Sequence, residues 1–394
     1  VRRGSHVTSH ARPGAFEVLR REPGLEHNAF DGCRTAYAVL PDVRVGDRIV
    51  YEYSVAGANP VLAGHMSREW RLRLPLPVAS LRYEITADRP LFLAKHGSAD
   101  AVDHRRDGDL YVYETQLEGV PALEVEDDVP VEENVIPAIQ ISDVHDWGGV
   151  AAWARALFES GGPSSREVQA LAAGLAANTS RPADRARAAL RWVQDNVRYV
   201  SLSFGESSHR PALPEVTLRR RFGDCKDKST LLVALLRELG VEADLALVHS
   251  SRGAALMSKL PTYGAFDHVV VSVLVDQRRY WVDAARSYQR GELRDVSAGD
   301  LGFALLLRAD TRGLTAVDRY RDPRPEIEAR ITYSAERMGS PVALRAEVSY
   351  VGNRAELVRG LRASLSPTEL TDTLAAPLRR AHDDLELVGD PEVT

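Results

Sequence analysis

The run Leu231-Leu232-Val233-Ala234-Leu235-Leu236 constrains this chain more than any other segment. Read as part of a helix over Cys225–Leu239, it is apolar nearly all round, and a helix of that kind is stable only with protein on every side. The spacing therefore predicts a central helix wrapped by other elements. Asp224 is a good N-cap, Asp227 completes a pattern resembling a capping box three residues later, and Gly240 stands where helices commonly end. These boundaries put Cys225 at the first helical position.

The elements expected around this helix are α+β. Ala151–Glu159, Arg166–Ala177 and Ala183–Val197 carry helical spacing and many alanines. A strand-like Arg198–Phe204 and a loop over 205–222 lead into the central helix. Val241–Val248, His268–Val275 and Tyr280–Ala284 then read as strands, giving a central domain over 141–315. Before it, Ile49, Tyr51, Tyr53 and Val55 alternate with their neighbours at the period of a half-buried strand. Trp70–Leu74, Leu81–Thr86 and Leu110–Gln116 repeat the pattern between polar turns. An N-terminal antiparallel β-sandwich-like domain is expected over 11–140, with Glu124–Pro137 as a proline-bearing acidic linker. A C-terminal β-containing domain is expected over 322–394, with strands Ile327–Tyr333 and Ala343–Tyr350 and helices Arg354–Arg362 and Pro367–Ala381. A last strand starting at Leu385–Val388 predicts that this domain continues past Thr394.

Composition removes several function classes. A net charge of −6 over 394 residues argues against a general nucleic-acid binder. Two cysteines, Cys33 and Cys225, exclude a disulfide-rich scaffold and a zinc ribbon. No apolar run approaches the length of a membrane span, and no signal segment is visible. Cys33, between Gly32 and Arg34 with no histidine nearby in sequence, is read as structural.

Cys225 carries the chemistry. A helix N-terminus presents free N–H groups and the positive end of the dipole, which favour a thiolate. Lys226 and Lys228 work against the dipole in the first turn, so helix stability alone does not explain them. From Arg219 to Lys228 five cations face two carboxylates, a local excess of +3 that favours a thiolate and an acidic substrate. Downstream, His268 opens one strand and Asp283 closes the next, with Asp276–Arg279 as the turn. In such a hairpin the two side chains stand opposite or diagonal, within reach of each other. The carboxylate then sets the imidazole tautomer while the other ring nitrogen faces the thiol. The bland alternative is a small buried cysteine beside a structural histidine. A zinc site of Cys225, His268 and Asp283 lacks the close ligand pair such sites use. Arg219–Arg221 reads as a solvated or salt-bridged run. His209, His249 and Asp267 show no partner at useful spacing, although Asp267 is placed to steady the His268 strand.

Gly223-Asp224-Cys225, Phe266-Asp267-His268 and Tyr280-Trp281-Val282-Asp283 together resemble the core of transglutaminase-like proteins, which have a papain-like thiol fold. Trp192, Val193, Val197 and Tyr199 resemble the helix and strand that precede the cysteine there. The extended motif Gly-Asp-Cys-Lys-Asp-Lys is similar to that of a bacterial group with an N-terminal β-rich domain of unknown function. Ile139–Ala156, with Ser142 and Trp147, resembles the junction between the two domains. The resemblance implies Cys225 as nucleophile, His268 as general base and Asp283 as orienter, without cofactor or metal. It implies a cysteine peptidase or acyltransferase acting outside the cytoplasm on a peptide or protein, with cell-envelope material among the candidates. Lys226 and Trp281 are the candidate substrate contacts. Lys226 stands where animal transglutaminases carry an aromatic residue, which argues against glutamine–lysine cross-linking and calcium dependence. The second function class is a non-catalytic module that keeps the fold and holds peptides or envelope material in its groove.

Overall fold

A computed structural model describes residues 1–12, 14–19, 34–97, 102–124, 136–159, 162–201, 205–296, 298–318, 325–382 and 384–393. Cys33 and most of the expected linker Glu124–Pro137 lie outside the described residues. The described chain divides into two compact units, one of residues 1–64 with 202–209, the other of 65–201 with 210–394.

In the first unit, short strands β1 (Arg2–Arg3) and β2 (His6–Val7) pair, as do β3 (Glu17–Leu19) and β4 (Thr35–Tyr37). The alternating stretch at Ile49–Val55 does not form the expected strand. Only Arg48 makes an isolated bridge, to Arg2, and Tyr51, Tyr53 and Val55 are all more than 75% exposed. Alternation prepares a face for burial, but a strand also needs a neighbour to hydrogen-bond with. Ile49–Val55 pairs with no strand among the described residues. His209 finds a local partner, its Nδ1 lying 2.7 Å from Ser208 Oγ.

The second unit opens with six antiparallel strands: β5 (Ser67–Arg71), β6 (Val78–Ala87), β7 (Phe92–His96), β8 (Asp103–Asp107), β9 (Leu110–Val120) and β10 (Ala138–Ser142). They form two sheets of three, ordered β5-β10-β7 and β6-β9-β8. Trp70, Ile139 and Ile141 of the first sheet, with Leu72 just past β5, share a core with Tyr113, Tyr83 and Ile85 of the second, the sandwich arrangement of two sheets closed on one apolar layer.

Helices α1 (Trp147–Phe158), α2 (Arg166–Ala176) and α3 (Pro182–Asn196) follow, within a few residues of their expected bounds. Of the strand expected at Arg198–Phe204, Arg198–Tyr199 form β11, Val200 and Ser201 are irregular, and 202–204 lie outside the described residues. The stretch read as loop contains α4 (Pro214–Arg220), started by proline at its first position. Next come β12 (Phe222–Gly223), parallel to β11, and the central helix α5 (Cys225–Glu238). Strands β13 (Glu242–Val248), β14 (His268–Val275), β15 (Arg278–Val282), β16 (Phe303–Leu306) and β17 (Thr315–Ala316) form an antiparallel sheet ordered β15-β14-β13-β16-β17. The turn between β14 and β15 is made by Asp276 and Gln277, both at positive φ, the geometry of a two-residue hairpin.

Helix α5 lies against β13 and β14 on one side and α2, α3 and α4 on the other. Leu231, Leu232, Leu235 and Leu236 are each 0% exposed, and burying each contributes about 1.5–3 kcal/mol. Ala246, Val248, Val270 and Trp281 of the sheet pack with Leu301 and Leu306 in an apolar cluster. Gly302 is confined there. Its φ is +57°, and a Cβ would come within 2.2 Å of the Gly253 carbonyl carbon.

The chain ends with the hairpin β18 (Ile327–Ser334) and β19 (Ala343–Tyr350) and helices α6 (Gly352–Ser364) and α7 (Pro367–Ala381). The strand expected at Leu385–Val388 is irregular in the structure, with no ladder partner among the described residues. Among those residues, no helix is long and apolar enough to cross a membrane.

Candidate active site

Cys225 begins α5 and His268 begins β14, and these two elements are neighbours in the core. Ser229, one turn into α5, donates to the Val269 carbonyl at 3.1 Å and so ties the two starts together. The helix start is held by a double cap. Asp224 accepts from the N–H groups of Lys226 and Asp227, and Asp227 accepts from the Asp224 N–H. Gly223 is required beside this cap, because a Cβ there would meet Asp227 Cβ at 2.7 Å.

His268 Nε2 lies 2.9 Å from Asp283 Oδ2. Pairs such as Ser272 with Trp281 set the β14–β15 register. Continued to the strand ends, it makes Asp283 the diagonal neighbour of His268 on one face. Asp283 lies just past the end of β15, and its Oδ1 accepts from the Ala285 N–H at 2.8 Å, which fixes the carboxylate plane. A carboxylate only accepts, so Nε2 carries the proton toward it and Nδ1 is left for the thiol. Cys225 also acts electrostatically on the His268 ring. Burial works against a charged ring, but the hydrogen bond to Asp283 and the negative charges of Asp283 and Cys225 outweigh it and raise His268 to about 10. The ring is an imidazolium at neutral pH.

Two of the five cations before and after Cys225 are held by the two carboxylates of the same stretch. Arg220 pairs with Asp227, Lys226 pairs with Asp224, and Arg221 lies over the Trp192 ring at 4.7 Å. Neither candidate substrate contact presents its side chain to solvent. Lys226 is 5% exposed with its ammonium on Asp224, and Trp281 is 6% exposed in the apolar cluster with Val270 and Leu301. Lys228 is fully buried and donates Nζ to the Val197 carbonyl at the end of α3. Burial lowers it to about 8, against the opposing pull of Asp283 and Asp195. Among the described residues, no group of three or more His, Cys, Asp or Glu is arranged to hold a metal ion.

Two family models match the chain. Residues 1–124 match the family model of a domain of unknown function with a solved structure (DUF3857), and residues 169–284 match that of the transglutaminase-like superfamily. The central domain is transglutaminase-like. A candidate protease from Parabacteroides distasonis is similar to the chain with a TM-score of 0.57 and 14% identity, over 76% of this chain and 57% of that one. The chain thus spans little more than half the length of that protein, and the likeness is one of fold. A candidate cysteine protease from Cytophaga hutchinsonii has a TM-score of 0.27 at 15% identity, over 73% of this chain and 89% of that one. The periplasmic domain of TgpA from Pseudomonas aeruginosa has a TM-score of 0.24 at 14% identity, over 55% of this chain and 75% of that one. Curated proteins include no match.

Several residues of the transglutaminase-like domain gain a place that sequence spacing does not reveal. Asp267 accepts from the Ser250 N–H at 2.7 Å and from Ser250 Oγ at 2.8 Å, and His249 stands 3.5 Å away. Burial pushes the Asp267 carboxyl up, but these bonds outweigh it and hold it below the usual carboxylate range. The residue before His268 is anchored by this contact. Ser142 Oγ donates to the Pro261 carbonyl at 2.8 Å, and the Trp147 ring stands 5.5 Å from Phe266, so the junction after β10 steadies the loop that delivers His268. Tyr199, aligned with Gly223 across β11 and β12, lies beside the thiol. Burial raises its hydroxyl, and the charges of Cys225 and Asp224 add to the effect.

Proposed function

We propose that this chain is a cysteine peptidase or acyltransferase acting on amide bonds of peptides or proteins. The observation that carries the reading is the His268–Asp283 pair at 2.9 Å, with Cys225 at the head of α5 acting electrostatically on the same ring. The Cys225 sulfur attacks the carbonyl carbon, the C–N bond breaks, and His268 gives its proton to the departing amine. A thioester on Cys225 remains. Water or a second amine then attacks it, returning a proton to His268 and releasing an acid or a new amide. The Cys225 N–H, at the open end of α5, faces no intrahelical acceptor and is the natural donor to the developing oxyanion.

The test is to trap the acyl-enzyme from a peptide and cell-envelope library and locate the adduct by mass spectrometry. A hydroxylamine-labile adduct on Cys225 is expected. A chain that binds library peptides without forming an adduct is a binding module instead, and the reading is overturned. An extracytoplasmic place of action accompanies the reading, supported by the motif set shared with the bacterial group. Cell fractionation that recovers the protein with cytoplasmic markers overturns that part.

A further inference from the structure

Behind Asp283 runs a line of buried polar side chains that the thiol chemistry does not use. Gln194, in the last turn of α3, donates Nε2 to the Asp283 carbonyl at 2.9 Å and to Gln289 Oε1 at 2.7 Å. Gln289, 1% exposed, donates its own Nε2 to Glu356 Oε1 at 2.9 Å. Glu356 belongs to α6, is 8% exposed, and pairs through Oε2 with Arg286 at 2.6 Å. Arg286 also donates to Asn353 Oδ1 at 2.8 Å, on the same helix. The segment 284–290 is thus held from both sides, by α3 and by α6.

Two further observations give this line a purpose. The buried residues of α6 are Ala355 and Glu356, so the helix is seated here by polar bonds more than by apolar area. A buried carboxylate is costly unless paired and hydrogen-bonded, as Glu356 is; Gln194 joins the line through Nε2 alone, its Oε1 being buried with no hydrogen-bond partner. Tyr288 sits within the held segment at φ +64°, a conformation that persists only where its surroundings impose it. Its carbonyl accepts from Arg359 of α6 at 3.3 Å.

We propose that Glu356 is a positioning residue for the proposed reaction: through Gln289 and Gln194 it holds the main chain at Asp283, so that helix α6 sets the carboxylate that orients His268. The proposal rests on the reading of Cys225, His268 and Asp283 given above. Loss of the line lets the 284–290 segment shift, Asp283 loses its grip on Nε2, and the imidazolium beside the sulfur is weakened.

The test uses the full chain and two readouts, the NMR titration of the His268 ring and the rate of Cys225 alkylation by iodoacetamide against pH. Glu356→Ala and Gln289→Leu are both expected to lower the His268 titration by about one pH unit or more, a tenfold change in its protonation constant. Both are expected to slow alkylation at about pH 6 roughly tenfold and to change it less than about twofold at about pH 10, where a thiol ionises unaided. Glu356→Gln keeps an acceptor for Gln289 and is expected to stay within about threefold of the parent chain at both pH values. If Glu356→Ala does not fold, Gln289→Leu, which leaves the Glu356–Arg286 pair intact, decides alone. Titration and alkylation profiles that superimpose on those of the parent chain overturn the proposal, as does an equal slowing at both pH values. A parent chain whose thiol is unreactive at about pH 6, with the variants still lowering His268, overturns the thiol reading and leaves the positioning role standing.

Discussion

Replacing Cys225 with Ala is expected to abolish labelling by a thiol-reactive probe at about pH 6 and to cut turnover of an acyl substrate on the order of 10⁵-fold. The size follows from the chemistry. Without the sulfur no thioester forms, and only the oxyanion donor and substrate binding are left to lower the barrier. The fold is expected to survive, because Ala is the best helix former and the cap made by Asp224 and Asp227 is untouched. Melting temperature should therefore separate lost chemistry from lost structure. With two cysteines in the chain, one substitution identifies the reactive one. Undiminished labelling, carried by Cys33, would sink the assignment.

Asp283→Asn carries the second largest effect, a loss on the order of 10²–10⁴-fold in kcat/KM. The amide is nearly isosteric, but it cannot supply the negative charge that holds His268 protonated, and an –NH₂ turned toward Nε2 selects the wrong tautomer. The loss should be least at acid pH. In the parent chain His268 is raised to about 10, so its charge persists through neutral pH. In the variant, burial acts with less opposition and the ring loses its proton at lower pH. Stability follows the same sign. A histidine whose folded pKa lies above its unfolded value of about 6.5 stabilises fully below that value. The contribution is then lost as pH rises toward about 10. The melting-temperature gap between parent and variant should thus narrow across that window. A gap that widens with pH would contradict the imidazolium reading.

Much of the site was legible because its carriers are local. The N-cap, the capping box and the apolar run of α5 all lie within fifteen residues, so their physics is written in adjacent letters. The hairpin that brings His268 near Asp283 is local too, a two-residue turn joining the apolar strand His268–Val275 to Arg278–Val282. Ile49–Val55 shows the limit of that reasoning. The alternation is real, but a strand is a relation between two segments, and pattern in one does not supply the other. Helix α4 was hidden for a different reason. It is only seven residues long, and the run Arg219–Arg221 at its end reads from sequence as solvated or salt-bridged without naming a partner; the structure pairs Arg220 with Asp227 and lays Arg221, just past the helix, over Trp192.

The positive stretch around Cys225 needed the fold most. Counting charges predicts an open field, whereas the structure pairs Arg220 with Asp227 and Lys226 with Asp224 and buries Lys228 against the end of α3. Ionic and polar partners depend on distance in space, and a charge count has no distance in it. The same holds for Asp267 with Ser250 and for Glu356 with Gln289, which are separated by 17 and 67 residues. By itself the sequence determined where the central helix starts, which residue stands at its head, and which strand pair faces it, because caps, periodicity and turns act over a few residues. Only the tertiary structure decided which charges are spent on the scaffold and which polar groups reach the Asp283 loop, because those choices are made by segments that meet only after the chain has folded.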